Sequence, residues 1–524
     1  MFRSRKLLSV VLVVVIVGLL TSSLAFASQG SEWNSAGGNR QNTRNQESEH
    51  TLSVSNVSTL TPKWVFTTGG DVSATPAVDA DTVYFPDWAG NLYAVDKLTG
   101  AQKWQVSIAD ASGVPFDKAS ATPAVTADKV IIGTQGSVFV PGGGPGGKVL
   151  AFNKFTGALV WSTQVDNHPA AIITQSATVF DNRVYVGVAS LEEALSLIPG
   201  YQLSFRGSML ALDLNTGAIL WKTYTAPDGF TGNAVWGSSP AIDTQRGQVY
   251  IGTGNNYSVP QAVLDCVTAA GDDSAAKSAC LPANDYFDSI MALDMVTGAI
   301  RWSTRAIPYD AWTVDCIPFF GDGSNCPDPA GPDYDFGQAP ALFTVKPAGK
   351  AKPFDVVGAG QKSGQYWALD PDTGAVKWVT QAGPGGTAGG LQWGSAVDGK
   401  RVYTANANSN LVPWPDASGS TDGVWSGLDA ATGQVLWQTR PQNGGSTSGP
   451  VTTANGLVFG CSLDPQGHMY ALNAATGAVL WNFTSGGSCL SGAAISDGTL
   501  YWGSGYSNFG FGTGNNQLYA FGLP

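Results

Sequence analysis

Hydrophobic and polar positions follow the same order in seven segments of this chain, and each segment predicts a β-hairpin. An apolar strand leads to an acidic or amide residue, a Thr-Gly turn, and a second strand with tryptophan four residues after the glycine. Glycine readily adopts the positive φ that such a turn requires. The repeat therefore predicts an all-β array of similar units joined by loops of different length. Its tryptophans are Trp104, Trp161, Trp221, Trp302, Trp378, Trp437 and Trp481.

Two incomplete copies of the hairpin lie near the ends of the chain. LYAF at 518–521 resembles its first strand, and PKWVF at 62–66 places Trp64 in the position of the repeat tryptophan. Pairing these two strands would complete an eighth unit and remove two exposed sheet edges. We therefore predict an eight-bladed β-propeller with tryptophan-docking repeats, whose last blade is closed by the N- and C-terminal strands. The repeated residues build blades and carry no chemistry.

The N-terminus differs from the repeats. Basic residues precede a long apolar run, and Ala25-Phe26-Ala27 supplies the small residues that a signal peptidase requires. We predict a signal peptide over 1–27 and one propeller domain over 28–524, with an uncleaved signal anchor as the alternative. No second apolar run of about 20 residues follows. We therefore expect a secreted or periplasmic protein without membrane insertion after cleavage.

Composition narrows the class of protein further. Glycine occurs 66 times and tryptophan 17 times, which favours turns and aromatic packing over helix. The chain carries 27 basic and 39 acidic residues, and its net charge is −12. Such a surface repels phosphate backbones and anionic lipids. We therefore expect no nucleic-acid partner and no membrane-surface partner.

Six cysteines in an exported chain fit three structural disulfides, although fifteen pairings are formally possible. No CxxCH motif occurs, so we expect no covalent c-type haem. Proximity along the chain favours Cys266 with Cys280 and Cys316 with Cys326, which leaves Cys461 with Cys489.

The tryptophan repeat, together with the opening SEWNSAGGNRQNTR, resembles the pyrroloquinoline-quinone (PQQ)-dependent alcohol dehydrogenases from about residue 31 to the C-terminus. The likeness is closest to the polyvinyl alcohol dehydrogenase branch, through VASLEE, GTGNNYSVP, AGQKSGQYWALD and FGCSLDPQGHMYALNAATG. This resemblance implies hydride transfer from an alcohol to a calcium-bound quinone. It also implies secondary hydroxyls as substrates, including those of polyvinyl-alcohol-like polymers or oligomers.

The resemblance implies a cofactor site on the propeller axis. The family stacks PQQ on a tryptophan that does not belong to the repeat, and Trp236 in NAVWGSSPAID matches that residue. Lys362 in GAGQKSGQYW matches the basic residue that binds the quinone oxygens and stabilises negative charge on them during catalysis.

A metal ion accompanies the quinone in this family, held by a glutamate, an asparagine and the cofactor's own oxygens. Glu192 in VASLEE and Asn255 in IGTGNN fall on these two positions. Glu193 and Asn256 are alternatives one residue further along. Hard oxygen ligands suit calcium, although the sequence leaves calcium and a lanthanide undecided.

The catalytic base departs from the family pattern. Family members carry D-x-W-D, whose second Asp accepts the alcohol proton, whereas YDAWTVDC here has Asp310 and Trp312 but Thr313 at that position. A threonine does not act as a base near neutral pH. We therefore assign Asp310 as the base and also as a candidate metal ligand, and Asp315 as a metal-binding carboxylate or a carboxylate supporting the metal site. The adjacent cysteine pair that covers the quinone in methanol dehydrogenases is also missing.

Without a haem motif, electrons are expected to pass to an external acceptor, either a cytochrome c or a quinone. Long loops between Val259 and Asp288 and between Cys316 and Pro340 are expected to frame the entrance to the site. The rival hypothesis is a cofactor-free propeller that acts as a protein-interaction scaffold. A polysaccharide hydrolase or lyase is a third reading, but no paired-carboxylate motif supports it.

Overall fold

The computed structural model describes residues 31–136, 146–347, 349, 351–414 and 419–524. Eight antiparallel sheets form the blades of a β-propeller, as the repeat predicts. Each has four strands, except for the third blade along the chain, which has five. The signal peptide predicted over 1–27 lies outside the described residues.

The blades are numbered 1–8 in chain order, and their strands are given in the order of pairing. Blade 1 contains Ala77–Val78, Thr82–Pro86, Asn91–Asp96 and Gln102–Ser107; blade 2 contains Ala124–Val125, Lys129–Gly133, Lys148–Asn153 and Leu159–Gln164; blade 3 contains Ala171–Ile172, Arg183–Ser190, Ser208–Asp213 and Ile219–Tyr224, with Thr178–Phe180 beside its second strand; blade 4 contains Ala241–Asp243, Gln248–Gly252, Ser289–Asp294 and Ile300–Arg305.

The second half of the propeller repeats this arrangement. Blade 5 contains Ala341–Val345, Phe354–Gly360, Gln365–Leu369 and Val376–Gln381; blade 6 contains Ala396–Val397, Arg401–Asn406, Val424–Asp429 and Val435–Thr439; blade 7 contains Thr452–Ala454, Leu457–Cys461, His468–Asn473 and Val479–Thr484; blade 8 contains Ala494–Ser496, Thr499–Ser504, Gln517–Gly522 and Thr61–Thr67.

Short helices and one small ribbon occupy the connecting loops. The α-helices are Ile108–Ser112, Glu192–Leu195, Gln261–Ala270 and Ser274–Ala279; the 3-10 helices are Val57–Thr59, Val314–Cys316 and Asn508–Gly510; the ribbon pairs Thr231–Gly232 with Asn256–Ser258. Within the described parts of the chain, no helix is long and apolar enough to cross a membrane.

The two ends of the chain close the ring, which confirms the predicted eighth blade. Thr61–Thr67 pairs antiparallel with Gln517–Gly522, and Trp64 lies opposite Ala520. The N-terminal strand thus covers the outer edge of a sheet whose other strands come from the C-terminus.

Each repeat tryptophan docks onto the next blade. In blade 1, Trp104 Nε1 donates a 2.9 Å hydrogen bond to the carbonyl of Lys154 in blade 2. A Cβ on Gly157 would lie 3.0 Å from the Trp104 ring, so only glycine fits beneath it. Within the turn, Asp96 Oδ1 accepts hydrogen bonds from the backbone N–H and the hydroxyl of Thr99. The repeated residues therefore hold the blades and their turns together, as the sequence predicts.

Gly100→Ala is expected to destabilise the protein more than Gly113→Ala. Both glycines have positive φ, 72° and 71°, which costs an L-residue about 1–2 kcal/mol. Only at Gly100 would the new Cβ also meet a ring, 2.8 Å from Trp64; at Gly113 nothing lies within 4 Å. Overpacking should lower the free energy of unfolding by a further ~1–3 kcal/mol. Chemical denaturation measures the difference, and equal losses would contradict tryptophan docking.

The topology brings all of the expected cofactor contacts to one face. In blades 1–7 the repeat turns join the third and fourth strands on one face. Loops between second and third strands, and between successive blades, emerge on the opposite face. Glu192, Trp236, Asn255, Asp310 and Lys362 all lie in loops of this second kind. We call it the site face.

Three disulfides confirm the pairing favoured by proximity. They join Cys266 with Cys280, Cys316 with Cys326, and Cys461 with Cys489.

Candidate active site

A central cavity of about 610 Å³ opens on the site face. Loops from blades 3 to 8 line it, and Trp236, Lys362 and Glu193 are among the lining residues. The volume falls in the range of small-molecule and cofactor sites. The two long loops expected to frame the entrance contribute no lining residue. The second of them instead carries two aspartates to Lys362.

Lys362 is 5% exposed and is held by these two aspartates. Its Nζ lies 2.7 Å from Asp333 Oδ1 and 3.3 Å from Asp335 Oδ2. Burial alone lowers the pKa of Lys362, but the carboxylates of Asp333, Asp335 and Glu193 outweigh burial and raise it above its ordinary value. The side chain is therefore a fixed cation beside the cavity.

Trp236 is positioned by the same aspartate that contacts Lys362. Its Nε1 donates a 2.8 Å hydrogen bond to Asp335 Oδ2, and the Lys362 ammonium lies 5.5 Å from its ring centroid. The backbone N–H of Asn255 donates to the other oxygen of Asp335, also at 2.8 Å. Trp393 packs edge-on against Trp236, with ring centroids 5.4 Å apart. Asp335 thus ties together three of the residues singled out in the sequence.

Two buried oxygens beside this group have no hydrogen-bond donor among the residues that the structure describes. Asn255 directs its Nδ2 to the carbonyls of Asn256 and Trp312, which leaves its Oδ1 without a partner. Glu193 Oε1 is likewise buried without a partner, and burial raises the pKa of Glu193 to about 7. Unpaired buried oxygens of this kind suit a hard cation such as calcium.

Among the described residues, no group of three or more His, Cys, Asp or Glu is arranged to hold a metal ion. Asn256, the alternative ligand, also has an unpartnered Oδ1, but its Nδ2 donates to Asp285 in the helical insertion of blade 4.

Glu192 does not line the cavity, in contrast to its neighbour. It is fully buried, and its Oε2 accepts hydrogen bonds from the backbone N–H groups of Ser204 and Phe205 at 3.0 and 2.8 Å. Its Oε1 lies 3.2 Å from His168 Nε2. The structure thus commits Glu192 to its own loop and leaves Glu193 facing the cavity.

Asp310 supports the segment that carries the two aspartates around Lys362. Its carboxylate accepts hydrogen bonds from the N–H groups of Asp333 and Tyr334, at 3.1 and 2.7 Å. Burial is the main cause that raises the pKa of Asp310, to about 6. The residue belongs to the same charge cluster as Glu193, although it does not line the cavity.

Asp315 organises a different loop. Its oxygens accept the N–H groups of Gly323 and Asn325, at 3.1 and 2.7 Å, inside the disulfide loop Cys316–Cys326. The hydroxyl of Thr313 donates to the carbonyl of Asn325 in the same loop. The structure therefore does not bring Asp315 to Lys362, and its carboxylate is occupied by backbone donors.

Comparison with known proteins decides which family this site represents. The family model described as "Outer membrane protein assembly factor BamB" matches residues 38–142, 117–304 and 362–521. The polyvinylalcohol dehydrogenase of Sphingopyxis sp. (strain 113P3) is 30% identical over 93% of this chain and 74% of its own. The chain belongs to the PQQ-dependent alcohol dehydrogenase family. It is an enzyme of the quinoprotein alcohol dehydrogenase kind.

Further relatives agree with this quinoprotein assignment. A polyvinylalcohol dehydrogenase of Pseudomonas sp. is 28% identical over 92% of this chain and 74% of its own. Among solved structures, quinohemoprotein alcohol dehydrogenase from Comamonas testosteroni superposes with a TM-score of 0.67. It covers 95% of this chain and 81% of its own at 20% identity, so it shows the fold alone.

This quinoprotein also contains aspartates that the family pattern does not indicate. Asp288 is fully buried, and burial, together with the neighbouring Asp310 carboxyl, raises its pKa well above the ordinary value. Two adjacent buried carboxyls of this kind titrate as a pair rather than independently. Asp333 and Asp335 were also missed, although PDYDFG places two acidic residues in a loop rich in proline and glycine.

The stability of the quinoprotein is expected to fall as pH rises through about 6 because of Asp285. Burial raises the pKa of this 1% exposed residue to about 6, above an unfolded value of about 3.9. The folded state therefore binds the proton more tightly. The stabilisation that the Asp285 proton gives is complete below about pH 4 and is lost by about pH 7. Its loss lowers the free energy of unfolding by about 2–3 kcal/mol in total.

Asp285→Asn tests this effect, because its amide stays neutral at every pH. Denaturation of the metal-free protein and the variant from about pH 4 to about pH 7 should show the wild type losing stability relative to the variant. A constant difference between the two would contradict the raised pKa.

Proposed function

We propose that this protein uses PQQ to oxidise secondary alcohols, including those along polyvinyl-alcohol-like chains, to ketones. The carrying observation is the cavity lining, where the buried cation of Lys362, the indole of Trp236 and an unpaired oxygen of Glu193 meet. Asn255, whose Oδ1 is also unpaired, lies next to them through its hydrogen bond to Asp335. The polymer substrate is supported by likeness to two polyvinylalcohol dehydrogenases. The scaffold hypothesis gives no reason for a lysine that is buried between two carboxylates beside a cavity, as Lys362 is.

The residues present fit the cofactor and its metal. The indole of Trp236 offers an apolar platform fixed by Asp335, and Lys362 supplies a permanent positive charge beside it. Glu193 and Asn255 would hold calcium through their unpaired oxygens. When bound, PQQ supplies a two-electron acceptor and calcium a Lewis acid.

The protein's own groups would orient and deprotonate the alcohol. Lys362 donates hydrogen bonds to a developing oxyanion and stays charged, because Asp333 and Asp335 stabilise the ammonium form. Asp310 remains our proposal for the base, since its pKa of about 6 lies near the working pH of a general base. Asp288 beside it would take part in holding the proton. Asp315 is not part of this proposal, because its carboxylate accepts the N–H groups of Gly323 and Asn325 in its own loop.

The proposal also covers where the protein is located and which molecule accepts its electrons. The signal-like N-terminus supports export from the cytoplasm. An external acceptor such as a cytochrome c or a quinone would receive the electrons taken from the alcohol.

Cofactor titration tests the proposal directly. Purified protein is titrated with PQQ and calcium while tryptophan fluorescence is followed, and dye reduction is then assayed with isopropanol. We expect saturable quenching that requires calcium, followed by alcohol-dependent dye reduction. Trp236→Leu should lose the quenching, whereas Trp104→Phe, on the outer strand of blade 1 away from the cavity, should keep it. No quinone binding at micromolar concentration would favour the scaffold hypothesis.

A further inference from the structure

We infer that Leu411, Leu463 and Phe511 form a subsite for the chain of a long, uncharged polyol while one of its hydroxyls is oxidised below. This inference rests on the proposed function and names the part of the substrate that these residues contact. We call the three residues the apolar strip.

The apolar strip runs across three neighbouring blades of the site face. Its members come from the loops between the second and third strands of blades 6, 7 and 8, and all three line the central cavity. Leu411 and Phe511 nevertheless leave 66% and 56% of their surface in water, while Leu463 is half-buried. Exposed apolar surface that continues into a cavity marks a binding surface.

A small alcohol would not reach the strip. The reactive groups lie at the buried end of the cavity, where Lys362 is 5% exposed. Leu411 and Phe511 line the same cavity of about 610 Å³ but are 66% and 56% exposed, which places them at its open end. Only a substrate that extends from the floor to the rim contacts both. The strip therefore distinguishes a chain from a monomer.

The lining around the strip fits a neutral chain with alternating apolar and hydroxyl groups. Amide and hydroxyl side chains stand beside it, including Asn408, Ser446 and Tyr506. The titratable lining residues near the floor are Glu193 and Lys362. Asp422 near the rim is occupied by the N–H of Gly445 and the hydroxyl of Ser420. With a net charge of −12, the protein also disfavours an anionic polymer.

Steady-state kinetics with two substrates test the subsite. Leu411→Ser, Phe511→Ser and the double variant are compared with wild-type holoenzyme on polyvinyl alcohol and on isopropanol. Because each contact buries apolar surface, we expect each single variant to raise KM for the polymer by about fivefold or more. KM for isopropanol and kcat should stay unchanged. Leu98→Ser and Phe155→Ser, exposed in repeat turns of the opposite face, serve as matched controls.

A binding measurement separates failure of the subsite from failure of the proposed function. Fluorescence anisotropy of labelled polyvinyl alcohol is recorded with the same variants in the absence of an electron acceptor. Weaker binding by the strip variants alone supports the subsite, even if the wild type oxidises neither alcohol and the proposed function fails. Unchanged polymer binding and KM in both strip variants would overturn it. So would equal rises in KM for both substrates, or tighter binding of labelled dextran than of polyvinyl alcohol.

Discussion

Lys362→Met is expected to abolish alcohol oxidation and to lower the free energy of unfolding by about 3–5 kcal/mol. The ammonium group lies 2.7 Å from Asp333 and 3.3 Å from Asp335, and all three residues are buried. Removing the cation leaves both carboxylates without a counter-charge, and it also removes the donor to the reacting oxygen. Dye-reduction assays and chemical denaturation measure the two losses.

A double variant separates the two effects of Lys362. Adding Asp333→Asn removes one uncompensated charge, so stability should be partly restored while activity stays absent. The matched control is Lys377→Met, whose partner Asp370 lies 2.9 Å away on an exposed blade edge. Such a surface pair should contribute about 1 kcal/mol at most. Full activity in Lys362→Met would refute its place in the catalytic machinery.

Glu193→Gln is expected to weaken calcium binding about 100-fold or more in the presence of PQQ, while Glu192→Gln should leave calcium affinity nearly unchanged. Glu193 presents an unpaired oxygen beside the cavity. Glu192 accepts hydrogen bonds from the N–H groups of Ser204 and Phe205. Calcium titration by calorimetry compares the two adjacent carboxylates directly.

The same pair of variants should differ in stability in the opposite order. Glu192→Gln replaces a charged acceptor of two backbone N–H groups, which should cost about 1–3 kcal/mol. Glu193→Gln relieves a buried carboxylate whose pKa is raised to about 7, so the metal-free variant should be no less stable than the wild type at neutral pH. If Glu192→Gln alone lost calcium, the ligand would be Glu192 after all.

The architecture could be predicted because its determinants are local. Asp96, Thr99 and Trp104 lie within one hairpin, and their spacing recurs wherever a blade forms. Closure of the ring could also be predicted from the sequence, because Trp64 and the strand at 518–521 are two halves of the same repeat. Such patterns follow from the period of a strand and the chemistry of a turn.

The sequence indicated only some of the residues that lie together at the candidate site. Trp236, Lys362 and Asn255 are joined through Asp335, and their contact with the cofactor stays a prediction. Asp335, which joins them, was missed because it reaches Lys362 through a long loop without periodic sequence. Its neighbour Asp333 was missed for the same reason.

The sequence by itself determined the all-β class, the hairpin unit, the eight blades and the cysteine pairing favoured by proximity. Only the tertiary structure decided which side chains face the cavity. Glu192 and Glu193 are chemically identical neighbours, and the backbone N–H groups that engage one of them come from residues twelve and thirteen positions later. The conformation of the whole loop decides which carboxylate its backbone N–H groups reach. No local sequence pattern therefore predicts whether Glu192 or Glu193 is left free to bind a ligand.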